Sequence, residues 1–349
     1  MIQVIKLRLR EKHTSQLNAK ARACNYVWNF CNETQQKAVK SKRKWLNKYD
    51  LQKLTAGSSK MLGLHAHTVQ QICHKYDDSR KTHKKAWLKW RGRKTLGWVP
   101  FNQGHVKKVS DNQYKFNGTV FQTMHDRDLP KDAVIRAGSF NQDAKGHWYL
   151  NIPVSVEPIA IVDLDKSVGI DLGLKDLANL SDGSKIANPR YFRVLEENLG
   201  KAQRAGKKKL VRNIHQKIKN SRKDYLNKAS KAIADTYGTI VVGDVSSKKL
   251  SQTKMAKSVL DAGWSDFKNM LHYKSIRNGG VMIEVSEYLS TQICSACGCL
   301  PESRPRGIAD IGIREWQCTD CGTHHDRDTN AATNILRSGL ATLAGGAHK

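Results

Sequence analysis

Val168-Gly169-Ile170-Asp171-Leu172-Gly173 is an apolar strand interrupted by one carboxylate. A charge inside such a strand is costly unless it faces a metal or a hydrogen-bond donor, so Asp171 is a candidate metal ligand. A satisfied Asp at a strand end would read the same way. Outward from this strand, the chain continues as strand and helix together. A helical stretch dense in Lys and Arg runs from Tyr191 to Tyr237, and two strongly apolar strands follow, Thr239-Ile240-Val241-Val242 and Gly280-Val281-Met282-Ile283-Glu284-Val285. The segment from Thr329 to Leu340 reads as a closing helix after an Asp-rich turn. Strands alternating with helices predict an α/β domain. The sharpest change of pattern falls near residue 160.

Before that boundary the grammar differs. Ile2 to Leu9 mostly alternates apolar and polar residues and predicts a half-buried strand. From about Thr14 to Arg91 the apolar residues take helical spacing, as in Ala23, Tyr26, Val27 and Phe30. From Trp98 to Val156 short alternating segments return, separated by turn signals such as Asn117-Gly118 and Lys145-Gly146. They predict a small antiparallel barrel or sheet, which the first strand would complete, with the helices inserted between its strands.

The 349 residues carry a net charge of +29, spread along the chain rather than gathered in a tail. A surplus of this size repels itself unless a polyanion neutralises it, and nucleic acid is the polyanion that fits. No apolar run approaches the roughly 20 residues that span a bilayer, and no signal-peptide core follows Met1. The reading is therefore of a cytoplasmic protein without membrane contact.

Four of the eight cysteines form two pairs, Cys294-Ser295-Ala296-Cys297 and, after twenty intervening residues, Cys318-Thr319-Asp320-Cys321. Each pair can take one side of a tetrahedral zinc ion, which predicts one structural Zn²⁺. Gly298 and Gly322, directly after the pairs, suit knuckle turns that bring amides round to the sulfurs. Cys299, His324 and His325 read as a surface thiol and ordinary polar loop residues. Close behind comes Asp326-Arg327-Asp328-Thr329-Asn330-Ala331-Ala332. Asp328 has two readings, a helix N-cap or a metal ligand. The small Ala331 and Ala332 suggest close packing of this helix on a sheet, which would aim the carboxylate at Asp171.

Taken in order, Gly169-Ile170-Asp171-Leu172-Gly173, the basic run Asn220-Ser221-Arg222-Lys223-Asp224, the cysteine pairs with Ser290-Thr291-Gln292-Ile293 before them, and the Asp326–Ala332 motif resemble the TnpB (OrfB) family. That family is encoded by small insertion elements and is related to the type V CRISPR effectors. The resemblance covers roughly residues 160–340; the first half is similar only in plan and in Trp98-Val99-Pro100-Phe101. It implies an α/β plus β-barrel, multi-domain fold: a wedge-like β-barrel (1–12 and 95–160), an inserted helical recognition lobe (13–94), an RNase H-like (RuvC) domain (161–292 and 323–349) and a zinc ribbon (293–322). It further implies a guide RNA from the element's end and a double-stranded DNA target beside a short adjacent motif. Cutting would use two Mg²⁺ held by three carboxylates. A prokaryotic, nucleoid-associated setting is implied as well, whereas the sequence does not choose between monomer and dimer.

One family carboxylate is missing. The expected Glu closes a strand, where this chain reads Val241-Val242-Gly243-Asp244-Val245. Asp244 is one residue on and points to the opposite face unless a bulge turns it. Glu284 and Glu287 lie in and just after the next strand, and Glu287, at the strand's end, is the favoured replacement. The expected Mg²⁺ ligands are thus Asp171, Glu287 and Asp328, with Glu284, Asp244 and Asp326 behind them. The alternative is a nuclease-dead RNA-guided repressor; a transposase that joins DNA strands without a guide is the third possibility. For nucleic-acid contacts the expectation names Lys42, Arg43, Lys44, Trp90, Arg91, Arg222 and Lys223, with Trp45, Trp87 and Trp98 assigned to core packing.

Overall fold

A computed structural model describes residues 2–126, 129, 134–157, 163, 165–246, 250, 252–306, 310 and 312–346. The chain divides into two compact units, Met1–Val156 and Glu157–Lys349.

In the first unit β1 (Ile2–Arg8) runs antiparallel to β7 (Trp148–Ser155), in a sheet ordered β1-β7-β6-β2 with β6 (Gly138–Gln142) and β2 (Trp98–Phe101). Strand β7 alternates strictly, turning Trp148, Leu150, Ile152 and Val154 inward. Strands β3 (Val106–Ser110), β4 (Gln113–Phe116) and β5 (Thr119–Gln122) make a separate meander. Its second turn is Asn117-Gly118, both at positive φ (48° and 77°), the backbone that a tight hairpin requires. Phe101, Phe116, Phe121 and Phe140 pack between the two sheets.

The expected β-barrel does not close among the described residues. The sheets meet at the Leu9–Thr123 bridge, while β2 and β3 stay unpaired with one another. Between β1 and β2 the chain forms α1 (Thr14–Lys40), α2 (Lys48–Leu54), α3 (Ser58–Met61) and α4 (Ala66–Thr82). Helix α1 buries Leu17, Ala21, Cys24, Val27, Trp28 and Cys31, steps of three and four that keep one face inward. Asn47 and Asp50 form a reciprocal capping box that starts α2.

The second unit is built on a mixed sheet ordered β10-β9-β8-β11-β12: β8 (Ser167–Leu172), β9 (Asp176–Leu180), β10 (Lys185–Ala187), β11 (Thr239–Gly243) and β12 (Val281–Val285). Strands β8, β11 and β12 are parallel, and β9 and β10 antiparallel. The connections are α5 (Tyr191–Arg204), α6 (Lys208–Thr236), α7 (Ala256–Ala262) and α8 (Trp264–Arg277), and the chain closes on α9 (Arg327–Gly346).

Strand periodicity sorts the two faces. Val168, Ile170, Ile240, Val242 and Met282 join one core with Leu226 and Ile233 of α6 and Phe267 and Leu271 of α8. Val241 and Val285 turn the other way, to Ile335 of α9. Helix α9 lies very close there. A Cβ on Gly169 would collide with the Ala332 carbonyl, and one on Gly339 would lie 2.9 Å from Val241 Cβ. The small residues Gly169, Ala331, Ala332 and Gly339 are therefore what lets this helix seat on β8 and β11. By the same alternation Asp171 and Gly243 share the α9 face.

Candidate active site and metal centre

Strands β11 and β8 pair Val242 with Ile170, so one step further Gly243 comes level with Asp171. Gly243 carries no side chain, but its place is taken. A Cβ there would lie 2.5 Å from Glu287 Cγ and 2.6 Å from Cδ. The Glu287 side chain thus comes back from the loop after β12 to lie over Gly243, beside Asp171 in the sheet. Its Oε1 is buried with no hydrogen-bond partner. Burial, and then the charge of Asp244, push its carboxyl above the usual range.

Asp171 is raised further, to about 7, by burial first and then by the negative charges of Glu287 and Asp328; Arg327 and Arg314 pull the other way. Crowded, desolvated carboxylates with an orphaned oxygen are what a cation would relieve, and the group fits hard divalent metal chemistry.

The Asp-rich turn divides its labour. Helix α9 begins at Arg327, and Asp326, not Asp328, caps it: Asp326 Oδ1 accepts the Thr329 amide at 2.9 Å and its hydroxyl at 3.0 Å. Lys185 sits on the other Asp326 oxygen at 2.8 Å. Asp328 is left to a different partner. One Arg314 nitrogen donates to both its carboxylate oxygens, at 3.2 and 3.0 Å. Glu284 points to the opposite face and pairs with Lys268 of α8 at 2.6 Å. Asp244 is exposed beyond the end of β11 and accepts the Glu287 amide at 3.3 Å.

Two residues without an assigned role in the sequence hold this corner together. Asn330 and Asn334, one turn apart on α9, each donate to the carbonyls of Ser290 and Ile293. Asn330 Oδ1 accepts from the Ser295 amide at 2.8 Å. Helix α9 therefore grips both the loop that follows Glu287 and the first cysteine knuckle. A buried pair of Asn at i and i+4 was the only signal in the sequence.

Cys294, Cys297, Cys318 and Cys321 bring their sulfurs within 4.8 Å of one another. Cys294 and Cys321 stand 3.7 Å apart, and Cys297 and Cys318 3.8 Å. Sulfurs each about 2.3 Å from a tetrahedral Zn²⁺ are separated by about 3.8 Å, so the four fit that ion. Gly298 and Gly322 have φ of 80° and 73°, and their amides bond back to the Cys294 and Cys318 carbonyls. Strands β13 (Glu315–Gln317) and β14 (His324–Asp326) form the adjoining hairpin, which runs past residue 322, where the sequence boundary falls. His325 is no ordinary loop residue. It is buried against Trp316, with Nε2 3.0 Å from Cys294 Sγ, placed to support a ligand rather than to be one.

The expected nucleic-acid contacts separate into two groups. Lys42, Arg43, Lys44 and Lys223 are exposed. Arg91 is internal to its unit: its Nε donates to Asn25 at 2.7 Å, and the guanidinium lies 5.5 Å from the Trp28 and Trp98 rings. Arg222 is committed to the Leu260 carbonyl and Asp261. Trp98 packs as expected, but Trp45, Trp87 and Trp90 are 49%, 40% and 53% exposed, so core packing is wrong for the first two.

Residues 151–254 match the family OrfB_IS605, described as "Probable transposase", and residues 264–335 match "Cas12f1-like, TNB domain". A "Putative RNA-guided DNA endonuclease" of Streptomyces pristinaespiralis is 34% identical over 234 residues, covering 63% of this chain and 57% of that protein. The "Putative RNA-guided DNA endonuclease InsQ" of Escherichia coli K12 is 28% identical over 231 residues, 58% of this chain and 56% of its own. The chain thus spans little more than half the length of these relatives. Among solved structures, Cas12f1 in a complex with sgRNA and target DNA superimposes with a TM-score of 0.60 at 15% identity, covering 94% of this chain and 83% of that one, a likeness of fold.

Proposed function

We propose, from its matches to OrfB_IS605 and to the Cas12f1-like TNB domain, that the chain is a TnpB (OrfB)-type RNA-guided DNA endonuclease with a rearranged RuvC carboxylate site. One observation carries the reading. The volume where the missing strand-end Glu would begin is filled by Glu287, whose Oε1 is buried and without a hydrogen-bond partner.

Asp171, Glu287 and Asp328 would hold the metal ions. When bound, Mg²⁺ supplies charge neutralisation for hydrolysis of a phosphodiester. The protein's own part is positional. Strand β8 fixes Asp171, the Asn330 and Asn334 bonds fix the loop behind Glu287, and the Asp326 cap frees Asp328 from helix duty. In this reading Glu284 is not a ligand because it points to the opposite face, and Asp244 is not because it is taken up by the Glu287 amide. Guide RNA and target DNA would neutralise the +29 charge, with base pairing reading the sequence and the protein reading an adjacent motif and duplex shape.

The nuclease-dead alternative leaves the buried, unpartnered Glu287 Oε1 beside Asp171 without a purpose, which favours the relocated site. The test is cleavage of a plasmid library with randomised flanking bases, using the protein co-expressed with RNA from its own locus. Wild type is expected to cut in Mg²⁺, and Asp171→Ala and Glu287→Gln to cut at least a hundredfold more slowly. Guide-dependent binding by the wild type without cutting would instead make it a repressor.

A further inference from the structure

Trp87 and Trp90 sit on a segment whose backbone is held unusually firmly. Asn29 and Asn32, three residues apart on α1, each behave as a detached peptide group. Asn32 donates to the Leu88 carbonyl and accepts the Leu88 amide, both at 2.8 Å. Asn29 does the same for Arg91, at 2.9 and 2.8 Å. Trp28 Nε1 adds a bond to the Lys89 carbonyl, and Leu88 packs on the core.

The segment is thus pinned at Leu88, Lys89 and Arg91, while the two indoles between and beside these pins stay in solvent. Together with Lys85 and Lys89 they line an open concavity of ≈ 490 Å³. Among the described residues neither lysine has a carboxylate partner, and Lys84 and Arg93 flank the stretch.

Large aromatic surface left wet on a rigid backbone, with unpaired cations beside it, is an arrangement that binds rather than folds. Aromatics offer faces to any base and lysines hold the phosphates between. An apolar peptide would find no use for the cations, and a duplex hides its base faces. We propose that Trp87 and Trp90 form a stacking platform for unpaired nucleotides of the guide RNA. A platform assembled in the free chain suits the partner that stays bound through the cycle, rather than a DNA strand exposed only during cutting. The inference rests on the guided-nuclease reading.

The test uses the full chain with fluorescein-labelled dodecauridylate, the matching DNA oligothymidylate and an RNA duplex, across a salt series. Replacing either tryptophan (Trp87→Ala or Trp90→Ala) is expected to weaken single-stranded RNA binding about tenfold, with the double variant weaker still. Duplex affinity and the salt slope should hold, since no phosphate contact is removed. Trp→Phe at both positions should recover most of the affinity. Lys85→Gln with Lys89→Gln should instead flatten the salt slope.

Unchanged RNA affinity in the double Ala variant, with normal thermal unfolding, would overturn the platform and leave the guided reading intact. Tighter capture of the DNA strand would also overturn the assignment to RNA. Wild-type protein that neither binds its locus RNA nor retains it on purification would sink the guided reading itself.

Discussion

At the scale of the residue, Asp171 holds a proton in the range where a metal ion competes for it. Its folded pKa of about 7 lies above the ordinary 3.8, so the folded chain binds this proton more tightly than the unfolded one does. What the group contributes to stability is complete below about pH 4 and is lost as pH rises to about 7. Above that, a cation bound there would restore it. About a tenth of Asp171 is ionised at pH 6 and about nine-tenths at pH 8. Calorimetric Mn²⁺ affinity should therefore rise about tenfold between the two, and Asp171→Asn should remove the share of that dependence that Asp171 carries, leaving the share due to Glu287. Asp171 was legible in the sequence because a lone carboxylate in an apolar strand demands a reason. The division between Asp326 and Asp328 was not legible, because capping depends on where the helix begins, and α9 begins two residues before the Thr329 start its pattern suggests.

Among the elements, the cysteine knuckles were the most legible, since ligand spacing and the following glycines state a geometry without reference to the rest of the chain. His325 could not be read this way. Its contact with Cys294 depends on the β13–β14 pairing, which sets Trp316 opposite it. Cys294→Ser or Cys318→Ser should release zinc and unfold the ribbon. His325→Ala should keep one zinc per chain while lowering its affinity about tenfold, read by chelator competition and elemental analysis. The β-strands of the first unit were also legible, through alternation and the Asn117-Gly118 turn. Closure of a barrel was not, because it depends on whether two edges far apart in sequence find each other. Trp45 and Trp87 were misread for a related reason: indole area alone does not say whether the fold covers it.

For the molecule as a whole, a charge of +29 sets two opposed responses to salt. Screening relieves self-repulsion, so the thermal midpoint of the RNA-free chain should rise between low salt and about 0.15 M, where the Debye length shortens to about 8 Å. The same salt should weaken RNA binding, because counterion release drives it. Differential scanning fluorimetry and a binding isotherm over one salt series check both signs. Charge of this kind is read directly from composition, whereas its usable fraction is not. Arg91 and Arg222 count toward the total yet are committed within their own units.

The interlock of Gly243 and Glu287 also bears on ancestry. The two positions share one volume, so the Glu287 side chain can lie as it does only where position 243 is small. With Glu287 seated as it is, a Cβ at 243 would meet the outer part of that side chain, which would have to swing aside. If Glu287 is the ligand, a survey that scores position 243 alone for an acid would misfile this chain, and the character to score is the pair.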